Sequence, residues 1–247
     1  MRCLFLAILV FLAACAGDSG SGEPGAAPTG RGEIDYTLVQ RHAEQFDVDL
    51  PSRPPGSQQE LAAATYILGH LQLAGYSPVL DAIPVGNQVQ SSNVIAVPPN
   101  GDAPQVVVTV AYDTLGERVH TGTEIGLFLE LARAINVAEP DHAIAFAALG
   151  AEGADARGSI GLASFFEEQG LDPSVLSIRT GARESGQIRA AGSCATTSFE
   201  LTPFEECVAA RLSGDPFSQR GFRHTLIEGD TDVMGRSLFE FLLGAGD

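Results

Sequence analysis

The stretch VVVTVAYDT, Val106 to Thr114, runs five apolar or β-branched residues into Ala111-Tyr112-Asp113 and then turns polar. An unbroken apolar run of this length reads as a strand buried on both faces, the kind that builds parallel sheets. Its end matters as much as its middle. Strand tips line the crevice where open α/β sheets bind ligands, so an exposed aspartate at position 113 marks a candidate site.

Outward from this strand the chain alternates. Strand-like runs occur at residues 91–97 (SSNVIAV), 142–149 (HAIAFAAL) and 222–228 (FRHTLIE). Helical periodicity occupies residues 34–46, 57–76, 125–137, 159–170 and 233–244. Ser57 and Glu60 form a capping box at the start of the second helix, and Gly75 stops it. Thr202 and Glu205 form another, with Pro203 at the first helical position. Strands alternating with helices imply an α/β fold of three layers: a mostly parallel, mixed sheet with helices on both faces. No internal repeat is present, and residues 33–247 read as a single domain.

The first 32 residues stand apart. Arg2 precedes CLFLAILVFLAA, an apolar run too short to span a bilayer comfortably. It ends Leu12-Ala13-Ala14-Cys15, which resembles a bacterial lipobox, so residues 1–15 are expected to be a lipoprotein signal with the lipid on Cys15. A plain secretory signal and an uncleaved anchor are the alternatives. Residues 16–32 are rich in Gly, Ser, Pro and Ala and read as a flexible linker. This places the protein outside the cytoplasm, lipid-anchored to the cell envelope with the membrane as partner. In that oxidising setting Cys194 and Cys207 are expected to be bridged, two free thiols being the alternative.

Composition narrows the function. A hydrophobic content of 45% with 18% charged residues is that of a folded domain. A formal net charge of −17 argues against a nucleic-acid partner, which needs a basic surface. All 14 basic residues are arginine, so P-loops, Schiff-base chemistry and a lysine general base are excluded. There is no Gly-x-Ser-x-Gly elbow, no His-Glu-x-x-His and no Cys-x-x-Cys. Two strand ends carry acids, Asp113 and Glu152. On parallel strands such a pair can act as acid and base or bind a metal. The plainer reading is that each caps a following loop or helix. Of five histidines, only His120 falls in the polar loop after the Asp113 strand.

The order of motifs, RPPGSQQELAAATYILGHLQLAGY, SSNVIAV, VVVTVAYDT, GLFLELARAI and IAFAALGAEGADARGS, resembles the secreted zinc exopeptidases. That family includes bacterial leucyl aminopeptidases, glutamate carboxypeptidases and glutaminyl cyclases. The resemblance implies two zinc ions sharing an aspartate, with a neighbouring glutamate as general base. It also implies ligands at set positions, and here they depart from the pattern. Where the family's strand ends His-x-Asp, this one ends Ala111-Tyr112-Asp113, keeping the acid that orients the ligand and losing the ligand. His120 takes the place of the bridging aspartate. Gly150-Ala151-Glu152-Gly153 keeps the general-base position at Glu152 but has glycine for the adjacent ligand. Arg179 stands at the next ligand position, and a fixed cation there repels Zn²⁺. His224 lies inside a strand rather than in the loop after it.

Zinc needs three or more converging donors per ion. The expectation is therefore a degenerate member, a pseudoenzyme with Asp113 and Glu152 as relicts, no metal, and a binding or scaffolding role toward a peptide or protein. The alternative is an active exopeptidase or aminoacyl hydrolase with a rebuilt site, one zinc held by His120, Asp113 and another acid. Lipidation is tested by Cys15→Ala, which is expected to release the protein from membranes; continued tight association would favour an uncleaved anchor.

Overall fold

The structure, a computed structural model, describes residues 32–86, 88–114, 122–180, 188–193 and 214–244. Asp35 opens α1 (Tyr36–Glu44), its carboxylate accepting the N–H of Thr37 at 2.8 Å. The helix loosens into a π-helical turn, Gln45–Asp49, where the sequence suggested one continuous helix to residue 46. The second helix, α2 (Gln58–Leu73), starts at Ser57, whose hydroxyl accepts the N–H of Glu60 at 3.1 Å, and ends before Gly75. The reciprocal half of the expected capping box is displaced: the Glu60 carboxylate takes the N–H of Gly56, not that of Ser57.

A hairpin follows, β1 (Ser77–Gly86) and β2 (Val89–Val97). β1 was not legible in the sequence. It contains Pro78, Pro84 and Asp81, and Ile83 is its only fully covered side chain. It is an edge strand, where proline is tolerated because one side carries no ladder. Then come β3 (Val106–Ala111), α3 (Gly122–Ala138), β4 (Ile144–Leu149), α4 (Arg157–Gln169) and β5 (Ser174–Thr180). After these lie β6 (Ile188–Gly192), the single turn α5 (Pro216–Gln219), β7 (His224–Gly229) and α6 (Thr231–Leu242). The seven strands form one sheet in the order β1-β2-β4-β3-β5-β7-β6. The inner four, β4, β3, β5 and β7, are parallel to one another, and antiparallel pairs lie outside them.

The valine run now has its explanation. Val106, Val108 and Val110 point into a core shared with α1, α2, α3 and α6, through Val39, Ile67, Phe128 and Leu238. Val107 points the other way, against Leu162 and Phe166 of α4 and Phe217 of α5. With both faces covered, no position in the strand tolerates a solvated side chain.

On the first face α1 and α3 cross closely. A Cβ on Gly126 would stand 2.3 Å from the carbonyl oxygen of Val39. Asp47 accepts the N–H of Gly122 at 2.7 Å, so the turn after α1 caps α3. Between α1 and α2, the Nδ1 of buried His42 meets the Tyr66 hydroxyl at 2.8 Å, and the His70 ring centroid lies 4.6 Å from that of His42.

Burial, and then the charge of His70, lowers the His42 pKa to about 4. The folded value lies below the unfolded one, so the unfolded chain takes up the proton first as pH falls. Stability present above about pH 6.5 is lost down to about pH 4, about 3–4 kcal/mol at 1.36 kcal/mol per unit. Urea unfolding is expected to show a smaller loss across this window for His42→Gln than for the wild type. Parallel profiles would contradict the assignment.

Candidate functional site at the strand tips

β3 and β4 run side by side with Ala111 opposite Leu149, which brings their C-terminal ends together. Asp113 was expected to be exposed; it is wholly buried. Its Oδ1 accepts the N–H of Glu152 at 3.0 Å and its Oδ2 that of Gly153 at 2.9 Å. Glu152 turns its own carboxylate forward, accepting the N–H of Ser159 at 2.6 Å in the first turn of α4. The two acids thus act in series: one holds the backbone of the other, which caps a helix. A carboxylate is favoured there by the free amides and the helix dipole.

A third acid completes the clamp. Glu60 of α2 is buried, accepts the Ser91 hydroxyl at 2.5 Å, and takes the N–H of Ala151 at 3.3 Å. Burial raises its pKa against the opposing effect of the Ser91 and Gly56 hydrogen bonds. Three consecutive amides, 151 to 153, therefore point at two buried carboxylates from different elements. They hold a turn with Ala151, Asp155 and Ala156 at φ 56°, 57° and 53°, a left-handed conformation costing about 1 kcal/mol or more for each non-glycine residue. Gly150 admits no side chain, because a Cβ would lie 2.4 Å from both the Ser91 hydroxyl and the Ser92 carbonyl.

Arg53 supplies charge from below. Its side chain is among the largest that are fully buried, and Nε donates to the Tyr112 carbonyl at 2.6 Å. Nη1 donates to the carbonyls of Phe46 and Leu50, and the guanidinium lies 5.3 Å from the centre of the Phe46 ring. Burial lowers its pKa, and Asp47, Asp113 and Glu124 oppose that shift. Thr114 returns its N–H to the Arg53 carbonyl at 2.9 Å, so the β3 tip and the segment before α2 are stitched together.

Among the described residues the donor set does not fit a zinc centre. Ala111 and Gly153 offer no side-chain donor, and both oxygens of Asp113 already accept amide hydrogens. Arg179 stands level with Ala111, since Ser177 pairs with Thr109, but it faces Glu228 at 3.3 Å in a half-exposed ion pair. His224 begins β7 opposite Val175, which pairs with Val107. That is six residues down the strand from Asp113, about 20 Å. Among the described residues no three His, Cys, Asp or Glu side chains converge to hold a metal ion. His120, Cys15, Cys194, Cys207 and the Thr202–Glu205 box lie outside the described residues. Arg53, Glu60 and Asp47 escaped sequence reasoning as parts of this site. The only signal was that charged residues stood beside apolar motif positions.

No protein-family profile and no curated protein matches the sequence. Solved structures do match the fold. A candidate Zn-dependent exopeptidase from Bacteroides vulgatus is 13% identical, with a TM-score of 0.66 over 85% of this chain and 96% of that one. LapA aminopeptidase from Legionella pneumophila is 13% identical, with a TM-score of 0.66 over 85% and 68%. A glutaminyl cyclase from Fimbriiglobus ruber is 12% identical, with a TM-score of 0.62 over 85% and 95%. At such identities the likeness establishes architecture alone, and the chain has the fold shared by zinc-dependent exopeptidases and glutaminyl cyclases.

Proposed function

We propose that the protein is an exported lipoprotein, anchored to the cell envelope through Cys15, whose peptidase-like domain binds a peptide or protein and performs no zinc-dependent hydrolysis. The carrying observation is the engagement of both relict acids. The oxygens of Asp113 accept the amides of Glu152 and Gly153, and Glu152 caps α4. A general base needs a metal-bound water to deprotonate near neutral pH, and the described donors offer no place for that metal.

A groove supports the binding role. About 430 Å³ in volume, it lies between β1 and α4, with Ile83, Pro84, Ile160 and Phe165 as its apolar lining and Arg157 and Glu168 at its polar edge. Arg157 donates to the Pro84 carbonyl at 3.1 Å. Asp155, from the clamped turn, also lines the groove, so the buried carboxylates set the shape of its wall.

Elemental analysis of the full-length protein after dialysis is expected to find well under one zinc per chain. Glu152→Gln keeps an acceptor for Ser159 and removes a charge worth about 1–2 kcal/mol at a part-buried helix N-terminus, so the chain is expected to stay folded and ligand binding to change little. Stoichiometric zinc, with aminoacyl hydrolysis abolished by Glu152→Gln, would overturn the reading in favour of a rebuilt single-zinc enzyme.

A further inference from the structure

A second constellation lies away from the clamped turn. β5 and β7 are neighbours, with Val175 opposite His224 and Ser177 opposite Leu226. Ser177 and His224 therefore project from the same face, the one covered by α4 and α5. The Ser177 Oγ is 2.8 Å from the His224 Nε2. Asp215, just before α5, brings Oδ1 to 2.9 Å from the His224 Nδ1, a short contact but a bent one. Its Oδ2 accepts the N–H of Ser218 at 2.6 Å. The Thr109 hydroxyl lies 2.7 Å from the Ser177 Oγ, and the Phe217 ring centre is 5.2 Å from that of the imidazole.

The proton order follows from these partners. Burial alone would raise the Asp215 pKa, but the His224 and Ser218 contacts outweigh it and hold the carboxyl below its ordinary value. An ionised carboxylate can only accept, so the tautomer that suits Asp215 has the proton on Nδ1 of His224 and leaves Nε2 as acceptor. Ser177 must then donate to Nε2, while Thr109 can donate to Ser177. The imidazole and carboxylate are nearly covered, at 8% and 13% exposure, whereas Ser177 is only part-buried. A hydroxyl aimed at a covered imidazole that a carboxylate orients is the arrangement of an activated serine.

We propose that Ser177 is a nucleophile, with His224 as its base and Asp215 as the positioning residue, toward small activated acyl compounds such as aryl esters. The substrate class follows from the strand. Ser177 sits inside two ladders, paired with Thr109 and Leu226, so its amide is committed to the sheet and cannot stabilise an oxyanion. Amide bonds, with poor leaving groups, need that help; aryl esters need less of it. In the step, the Oγ–C bond forms as the Oγ proton passes to Nε2 and the carbonyl electron pair moves to oxygen. Collapse breaks the C–O bond to the aryl group, which leaves with the proton from Nε2. Water then attacks the acyl-serine, giving its proton to Nε2 and the acid as product, and Nε2 returns a proton to the Ser177 Oγ. This chemistry uses neither a metal nor Glu152 and is independent of the binding role proposed above.

The full-length protein is treated with a fluorophosphonate, which loses fluoride on serine attack, and the adduct is located by peptide mass spectrometry. The expected adduct is on Ser177, absent from Ser177→Ala and formed at least ten-fold more slowly in His224→Gln of matching circular dichroism. Absence of an adduct at Ser177, or a rate unchanged by His224→Gln, overturns the proposal. If His224→Gln fails to fold, the unsubstituted chain decides alone: capture at Ser177 supports the assignment, and capture elsewhere or none refutes it.

Discussion

Two buried carboxylates accepting three successive amides hold the strand-tip end of this molecule together. Asp113 and Glu60 come from a strand tip and a helix far apart in sequence, and they meet at Ala151, Glu152 and Gly153. Burying a charge is costly unless every lone pair finds a partner. Here the partners are backbone amides and the Ser91 hydroxyl, with the Arg53 guanidinium near enough to offset the charge of Asp113. Charge-assisted hydrogen bonds contribute about 1.5–3 kcal/mol each. That is enough to keep a turn with three left-handed non-glycine residues in one conformation. The start of α4, the wall of the groove and the orientation of Glu152 all follow from it.

The same arrangement gives the acids at these strand tips structural work that needs no metal. An acid that orients a ligand must be buried and hydrogen-bonded whether or not the ligand is present. With alanine at position 111, Asp113 still has structural work, because its amide partners are the backbone of Glu152 and Gly153. Removing Asp113 would strand those amides. Selection on stability alone is sufficient to retain the acid, so its presence in the sequence says little about activity.

Much of the architecture was legible because it rests on local periodicity. The buried strand at residues 106–110, the helix capped by Ser57 and the alternation of strands and helices each carry their signal within a short window of sequence. What escaped was long-range or masked by composition. The proline-bearing β1 lacks alternation because an edge strand leaves few side chains to bury. Asp113 reads as exposed because aspartate usually is, and only the distant Glu152 and Gly153 amides reveal why it is not. Glu60 shows both sides: its role in a helix cap was readable, its grip on Ala151 was not. Likewise the serine, histidine and aspartate at positions 177, 224 and 215 belong to different elements, and nothing in spacing alone joins them.

The central claim is that Asp113 serves the fold rather than a metal. Equilibrium urea unfolding of Asp113→Asn and the wild type, each with and without added zinc, tests it directly. The substituted amide would keep one acceptor and lose the other along with the charge. The account predicts a loss of about 2–4 kcal/mol in the substituted chain, equal in both conditions. Unchanged stability without zinc, together with a zinc-dependent stabilisation seen only in the wild type, would contradict it.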